Sequence, residues 1–255
     1  RGIVWRDPEL AGEPWGGMSV WFPDAQWLLS RHAENGRTWF FAAKGGHNGE
    51  PHNHNDIGHF ILHADGDTFL MDLGCGEYTA DYFGARRYAF IGNSSLGHSV
   101  PIIGGAVQRE GAERRAIVLE AATGAEEDVL ALDISGAYPD APLARWVRTF
   151  VWRKTGVPHL RLEDAYRFSG KPVELVERFI TPFPPEFAGN GCVVLSAGGG
   201  RGVCIRYDGG LMAPEARTME FAAHDGGTMM FHALDFKVRA PESEGRLVFE
   251  FSFIP

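Results

Sequence analysis

Apolar and polar residues alternate along several stretches of the chain with a period of two, the pattern of a strand that buries one face. Leu160 and Leu162 alternate with Arg161 and Glu163, and Leu247, Phe249, Phe251 and Phe253 alternate with Val248, Glu250 and Ser252. Denser apolar runs at 38–42, 58–63, 68–72, 116–120 and 145–152 read as further strands. Glycine and proline, 33 and 15 of the 255 residues, punctuate these runs at the spacing of roughly 8–12 residues that marks an all-β protein. Gly198-Gly199-Gly200 reads as a loop tip and Asp225-Gly226-Gly227 as a hairpin turn. Long helices are not indicated; residues 78–90 read as a helical turn or a long loop. The pattern predicts an all-β fold, an antiparallel double-sheet β-sandwich of jelly-roll-like form. Residues 1–26 read as a lead-in from a missing N-terminal domain and 27–255 as the sandwich domain. The first residues, Arg1-Gly2-Ile3-Val4-Trp5, hold neither an initiating Met nor a signal-peptide core, which fits one piece of a longer protein.

Composition narrows the function classes. Hydrophobic residues at 44% exclude a disordered chain, because that much apolar surface offsets the entropy of ordering. The formal charge of −9, from 24 Lys+Arg and 33 Asp+Glu, removes the electrostatic footprint of nucleic-acid or anionic-membrane binding. No run of 18 apolar residues marks a membrane-spanning helix. Cys75, Cys192 and Cys204 have no CxxC spacing and read as buried thiols, neither a disulfide framework nor a thiolate zinc site.

The candidate chemistry lies in the histidines. They stand at 32, 47, 52, 54, 59, 63, 98, 159, 224 and 232, so five of the ten fall within 47–63. His47-Asn48-Gly49-Glu50-Pro51-His52-Asn53-His54-Asn55-Asp56 is a polar loop leading into the strand run that follows. In an extended chain His52 and His54 project to the same side and offer two imidazoles to one ion or one substrate. A further ligand must come from elsewhere. The turn Asp65-Gly66-Asp67 folds 68–72 back on the preceding strand and sets Asp72 opposite about position 60, a few residues short of His54; a bulge would close that gap. His98, in Gly97-His98-Ser99-Val100-Pro101, is the other candidate. The plain alternative for H-x-H is a solvated loop. His59 and His63 read as hydrogen-bonded sheet or surface histidines, and His224 and His232 carry no role.

At these positions the chain resembles the C-terminal β-sandwich domain of the heparinase II/III-like polysaccharide lyases. The resemblance rests on Phe22-Pro23-Asp24-Ala25, Lys44-Gly45-Gly46, His52-Asn53-His54-Asn55-Asp56-Ile57-Gly58-His59-Phe60, Leu70-Met71-Asp72-Leu73-Gly74, Tyr78-Thr79 and Asn93-Ser94-Ser95-Leu96-Gly97-His98-Ser99-Val100-Pro101. It covers roughly the first 110 residues in detail. It implies an N-terminal α-helical toroid packed on this sandwich, and a zinc ion held by two histidines and an aspartate, here His54, Asp72 and His98. It makes His52 the residue facing substrate, with a catalytic tyrosine and another histidine supplied by the toroid, so that this chain alone is half an active site. The implied reaction is β-elimination on a uronic-acid polysaccharide, glycosaminoglycan or alginate. The implied compartment is the periplasm or the cell exterior. The zinc is expected to hold the loops that aim His52, since an elimination needs no metal-activated water. Arg86-Arg87-Tyr88 supplies local positive charge, and Arg87, Tyr88 and Tyr78 are the candidate substrate-binding residues. Two other classes compete: a non-catalytic carbohydrate-binding sandwich, and a cupin-like iron oxygenase that reads His54-Asn55-Asp56 as H-x-D.

Overall fold

The strictly alternating stretches form the centre of the larger sheet. In the computed structural model, residues 18–189 and 191–254 are described. Leu143–Arg153, His159–Phe168 and Glu244–Ile254 alternate buried with partly exposed residues and pair antiparallel side by side. Around them an eight-stranded sheet runs in the order Pro185–Gly189, Cys192–Gly198, Arg201–Tyr207, Glu244–Ile254, His159–Phe168, Leu143–Arg153, Glu127–Asp133 and Ile117–Thr123.

Two smaller antiparallel sheets share the facing layer. One orders Ser19–Phe22, Trp27–Glu34, Arg37–Lys44, Phe60–Ala64 and Asp67–Leu70; the other orders Met212–Ala222, Thr228–Val238, Leu175–Thr181 and Pro101–Ile103. Aromatic side chains join the layers. Phe41 and Phe60 of the five-stranded sheet pack on Phe150 of the eight-stranded sheet, with ring centroids 5.5 and 5.3 Å apart, and Phe179 and Phe236 of the four-stranded sheet both lie 5.0 Å from Phe249. Phe60 also meets Phe179 at 5.7 Å, so the two small sheets close on one continuous core. Burial of this many large aromatic side chains is the main stabilising term.

The all-β double-sheet sandwich expected from the pattern is therefore the fold. The segment read as a helical turn or long loop contains both: a four-residue helix, Ala80–Phe83, capped by the Thr79 hydroxyl, followed by single 3-10 turns. Of residues 1–26, expected as a lead-in, 1–17 lie outside the described residues, and Ser19–Phe22 is a strand paired with Trp27–Glu34. The reading of all three cysteines as buried is corrected: Cys75 is exposed, and Cys192 and Cys204, adjacent across two strands near the sheet edge, are half-buried.

Candidate metal centre

The site forms where the two small sheets meet. Met71 donates its amide to the Ile180 carbonyl, stitching the end of Asp67–Leu70 to Leu175–Thr181. Asp72 follows at once. Its hairpin partner strand is in the register that residue counting predicts, with Ala64 opposite Asp67 and His63 opposite Thr68; a bulge between Leu62 and His63 then advances the pairing by one. That puts Asp72 beside the entrance to Phe60–Ala64, next to His59.

Three segments converge on it. His54 comes from the loop after Gly49, and Asp56 from the same loop two residues on; His98 comes from a run of 3-10 turns, Ile91–Asn93 and Ser95–Gly97. His54, Asp56, Asp72 and His98 each bring one ligand-type atom, all within 4.8 Å of one another. The rings of His54 and His98 are 5.2 Å apart. Gln108 holds the first loop from beneath: its side-chain oxygen accepts from the Ile57 amide at 2.8 Å, and its nitrogen donates to the Ile57 carbonyl at 2.7 Å. The Ser95 hydroxyl donates to the Asn55 carbonyl at 2.7 Å and ties the two loops together.

The electrostatics are those of a cation site. His98 is fully buried, and its Nε2 donates to the Gly92 carbonyl at 3.0 Å, which leaves Nδ1 to carry the lone pair of the neutral ring. That Nδ1 has no hydrogen-bond partner, and Asp72 Oδ2 lies 3.4 Å away. Two acceptors thus face each other with no donor between them, an arrangement that only a positive charge relieves. Burial opposes a charged His98 ring, yet Asp72, then Asp56, outweigh it and raise the affinity of the ring for a proton. Burial likewise opposes the Asp72 charge, but His98 and His59 hold its carboxyl far below the usual range. Burial and the neighbouring His98 lower His54. The residues present fit a metal ion: two imidazoles, a carboxylate and a carbonyl that fixes the tautomer of one ring.

Asp56 is already engaged, since the Lys44 ammonium donates to its Oδ1 at 2.7 Å in a nearly dry ion pair. Burial opposes its charge too, and Lys44 more than restores it. His59 was read from the sequence as an ordinary sheet or surface histidine; it is 3% exposed, lies just before the strand, and sits against the centre. Its Nδ1 accepts from the Ser99 amide at 2.9 Å, so Nε2 carries the hydrogen; that nitrogen lies 3.6 Å from Asp72 Oδ2 and makes no hydrogen bond among the described residues. Burial, with His98 beside it, pushes His59 down to about 4, so it is a neutral ring packed beside the carboxylate. No sequence signal marks Gln108, and His59 is marked by crowding and by its place in the stretch that carries the resemblance.

His52 and His54 line one cavity but are not the extended pair expected. His52 has φ +59°, a left-handed turn that breaks the extended geometry expected of the pair. Its exposed ring packs edge-on to Phe83 and stands between two cavities of about 420 Å³ each. One opens over Trp27, Lys44, His54 and Asp72, the other over Asn48, Phe83, Arg87 and Tyr88. Arg87 and Tyr88 are occupied in bracing this loop: Arg87 donates to the Asn53 carbonyl, and the Tyr88 hydroxyl donates to Asn53 Oδ1 at 3.0 Å. Arg86 pairs with Asp81 at the surface. Tyr78 is half exposed and packs at a tilt against His224, 4.1 Å between centroids.

Fold and cluster together define a β-sandwich with a buried His/Asp group able to hold a metal ion. The chain belongs to the family described as heparinase II/III-like, C-terminal, which matches residues 16–211. Among solved structures it is similar to the heparan sulfate lyase HepC from Pedobacter heparinus, with a TM-score of 0.79 and 16% identity over 95% of this chain and 37% of that one. It is also similar to two structures of heparinase III. One has a TM-score of 0.74 and 14% identity over 96% of this chain and 37% of that chain; the other has 0.70 and 14% over 93% and 36%. The chain thus spans little more than a third of the length of the lyases it matches. No curated protein matches it in sequence.

Proposed function

We propose that the chain is the zinc-binding half of a polysaccharide lyase active site, with His54, Asp72 and His98 as metal ligands and His52 facing the substrate. The observation that carries this reading is the buried, unpartnered Nδ1 of His98 set against Asp72 and beside His54. Zinc suits a mixed imidazole and carboxylate set. Asp72 is the better carboxylate ligand because Asp56 is committed to Lys44, which also weighs against the H-x-D iron reading. Bound zinc would supply a fixed positive charge that compensates Asp72 and locks the two histidine loops together.

The reaction this site suits is β-elimination on a uronic-acid polysaccharide. The C5 proton leaves to a base, the bond from C4 to its glycosidic oxygen breaks, and that oxygen takes up a proton; the product carries a C4–C5 double bond. His52 is exposed on the rim between the cavities, and its ring forms no hydrogen bond among the described residues. An imidazole there can balance the substrate carboxylate or move one of the two protons near neutral pH. Asn53, braced by Arg87 and Tyr88, holds the strained turn that aims it, and Tyr78 packs on Phe83, the ring that His52 meets. The remaining catalytic groups would come from an α-helical toroid domain of the same protein. Elemental mass spectrometry on wild type and His54→Ala tests the metal half of this reading. Near-stoichiometric zinc that disappears in the variant supports it. A folded wild type that takes up no zinc sinks it, and iron in its place revives the oxygenase.

A further inference from the structure

Two buried arginines outside the cluster reach the backbone that carries the histidines. Arg148, on Leu143–Arg153, is fully buried and uses all five of its N–H donors. Nε and Nη2 donate to the two Asp164 oxygens at 2.9 and 2.7 Å, and Nη2 also donates to Glu177. Nη1 donates to the carbonyls of Gly58 and Ser99, both at 3.0 Å. Those are the neighbours in sequence of His59 and His98. Gly58 has φ +85°, and a Cβ there would stand 3.3 Å from Arg148 Cδ, so the backbone passes close over the arginine.

Arg178, on Leu175–Thr181, makes the matching contact from the four-stranded sheet of the facing layer. It forks onto Asp235 with two bonds of 2.7 Å, and its Nη1 donates to the Leu96 carbonyl at 3.0 Å. Between these two anchors the Ser99 hydroxyl accepts from the Ile180 amide at 3.0 Å. The segment 96–99 is therefore fastened by its own carbonyls to charged groups on two separate strands. A buried ion pair adds little to stability over an apolar pair of the same volume. What these arginines add beyond their carboxylate partners is a fixed position for loop carbonyls, which an apolar side chain cannot provide.

We propose that Arg148 and Arg178 are positioning residues for the metal centre: they hold the loop of His98 in ligating geometry before any ion binds. This rests on the zinc reading above and concerns residues that touch neither ion nor substrate. The test is zinc affinity, measured by competition with a chromogenic chelator and normalised to folded protein, for wild type, Arg148→Lys and Arg178→Lys, with the cobalt-substituted absorption spectrum recorded in parallel. Lysine keeps the charge and loses the fork. The expected result is an affinity lower by about 10–100-fold in folded variants, with an altered cobalt spectrum. Folded variants that keep wild-type affinity and spectrum would overturn the proposal while leaving the zinc site standing; a wild type that binds no zinc would overturn both. Should a variant fail to fold, hydrogen exchange on zinc-free wild type decides. The amides of His98 and Ser99 should stay as protected without zinc as with it, and protection that arises only on adding zinc would show that the ion orders the loop.

Discussion

His59 illustrates how one side chain can serve a site without binding its ligand. Its Nδ1 is used by the Ser99 amide, and burial keeps the ring neutral with a pKa of about 4. That value lies below the ordinary 6.5, so the unfolded chain takes up a proton before the folded one as pH falls. The ring therefore costs stability as pH drops from about 6.5 to about 4, up to about 3 kcal/mol, and costs nothing above that window. His98 acts in the opposite sense, since its raised affinity for a proton stabilises the fold below its ordinary value. A comparison with His59→Asn, which keeps an acceptor for Ser99, isolates the first effect. Urea midpoints of the zinc-free proteins should fall less steeply with acid in the variant, and parallel curves would show that the ring is not the source. Asp72 could be placed by counting residues through the hairpin. His59 could not, because strand periodicity assigned it to a sheet face and the chain enters the strand only at Phe60.

At the scale of elements, the centre depends on a short hairpin and a chain of 3-10 turns. The hairpin register is readable because its turn residues and alternation fix the pairing; the bulge leaves Asp72 opposite the start of the strand, and the irregular loop before Phe60, not the bulge, brings His54 to it. The turns from 91 to 97 were not readable, since their geometry comes from contacts distant in sequence. Gly97 is one such point: an added Cβ would collide with the Ile91 carbonyl oxygen and press on Leu73 Cδ1. Gly97→Ala should therefore destabilise the protein by about 1–3 kcal/mol and release zinc at lower chelator concentration, read by thermal unfolding and by metal titration. Wild-type behaviour in both would show that the turn can shift freely. Arg87 and Tyr88 carry the signature of a surface anion site; both line the cavity beside His52, and both also bond Asn53 of the His52 loop, a contact that residue order does not reveal.

For the whole molecule, the proposed function makes the sandwich one wall of a cleft, with His52 on its rim. The chain by itself should bind uronate oligosaccharides weakly and produce no rise in ultraviolet absorbance from unsaturated ends. The same chain within a protein of the length of its structural relatives should produce that rise and lose it with His52→Ala. Turnover by the isolated chain would contradict the half-site reading. The sequence by itself determined the double-sheet fold, because alternation with a period of two leaves each strand one face to bury, and it singled out His54, Asp72 and His98 through motif and resemblance. Tertiary structure alone decided which groups surround them. Lys44 on Asp56, the Gly92 carbonyl on His98, and the two arginines under the loop carbonyls are contacts between segments far apart in the chain or folded by irregular turns, and buried charges select partners by distance in space, which residue order does not encode.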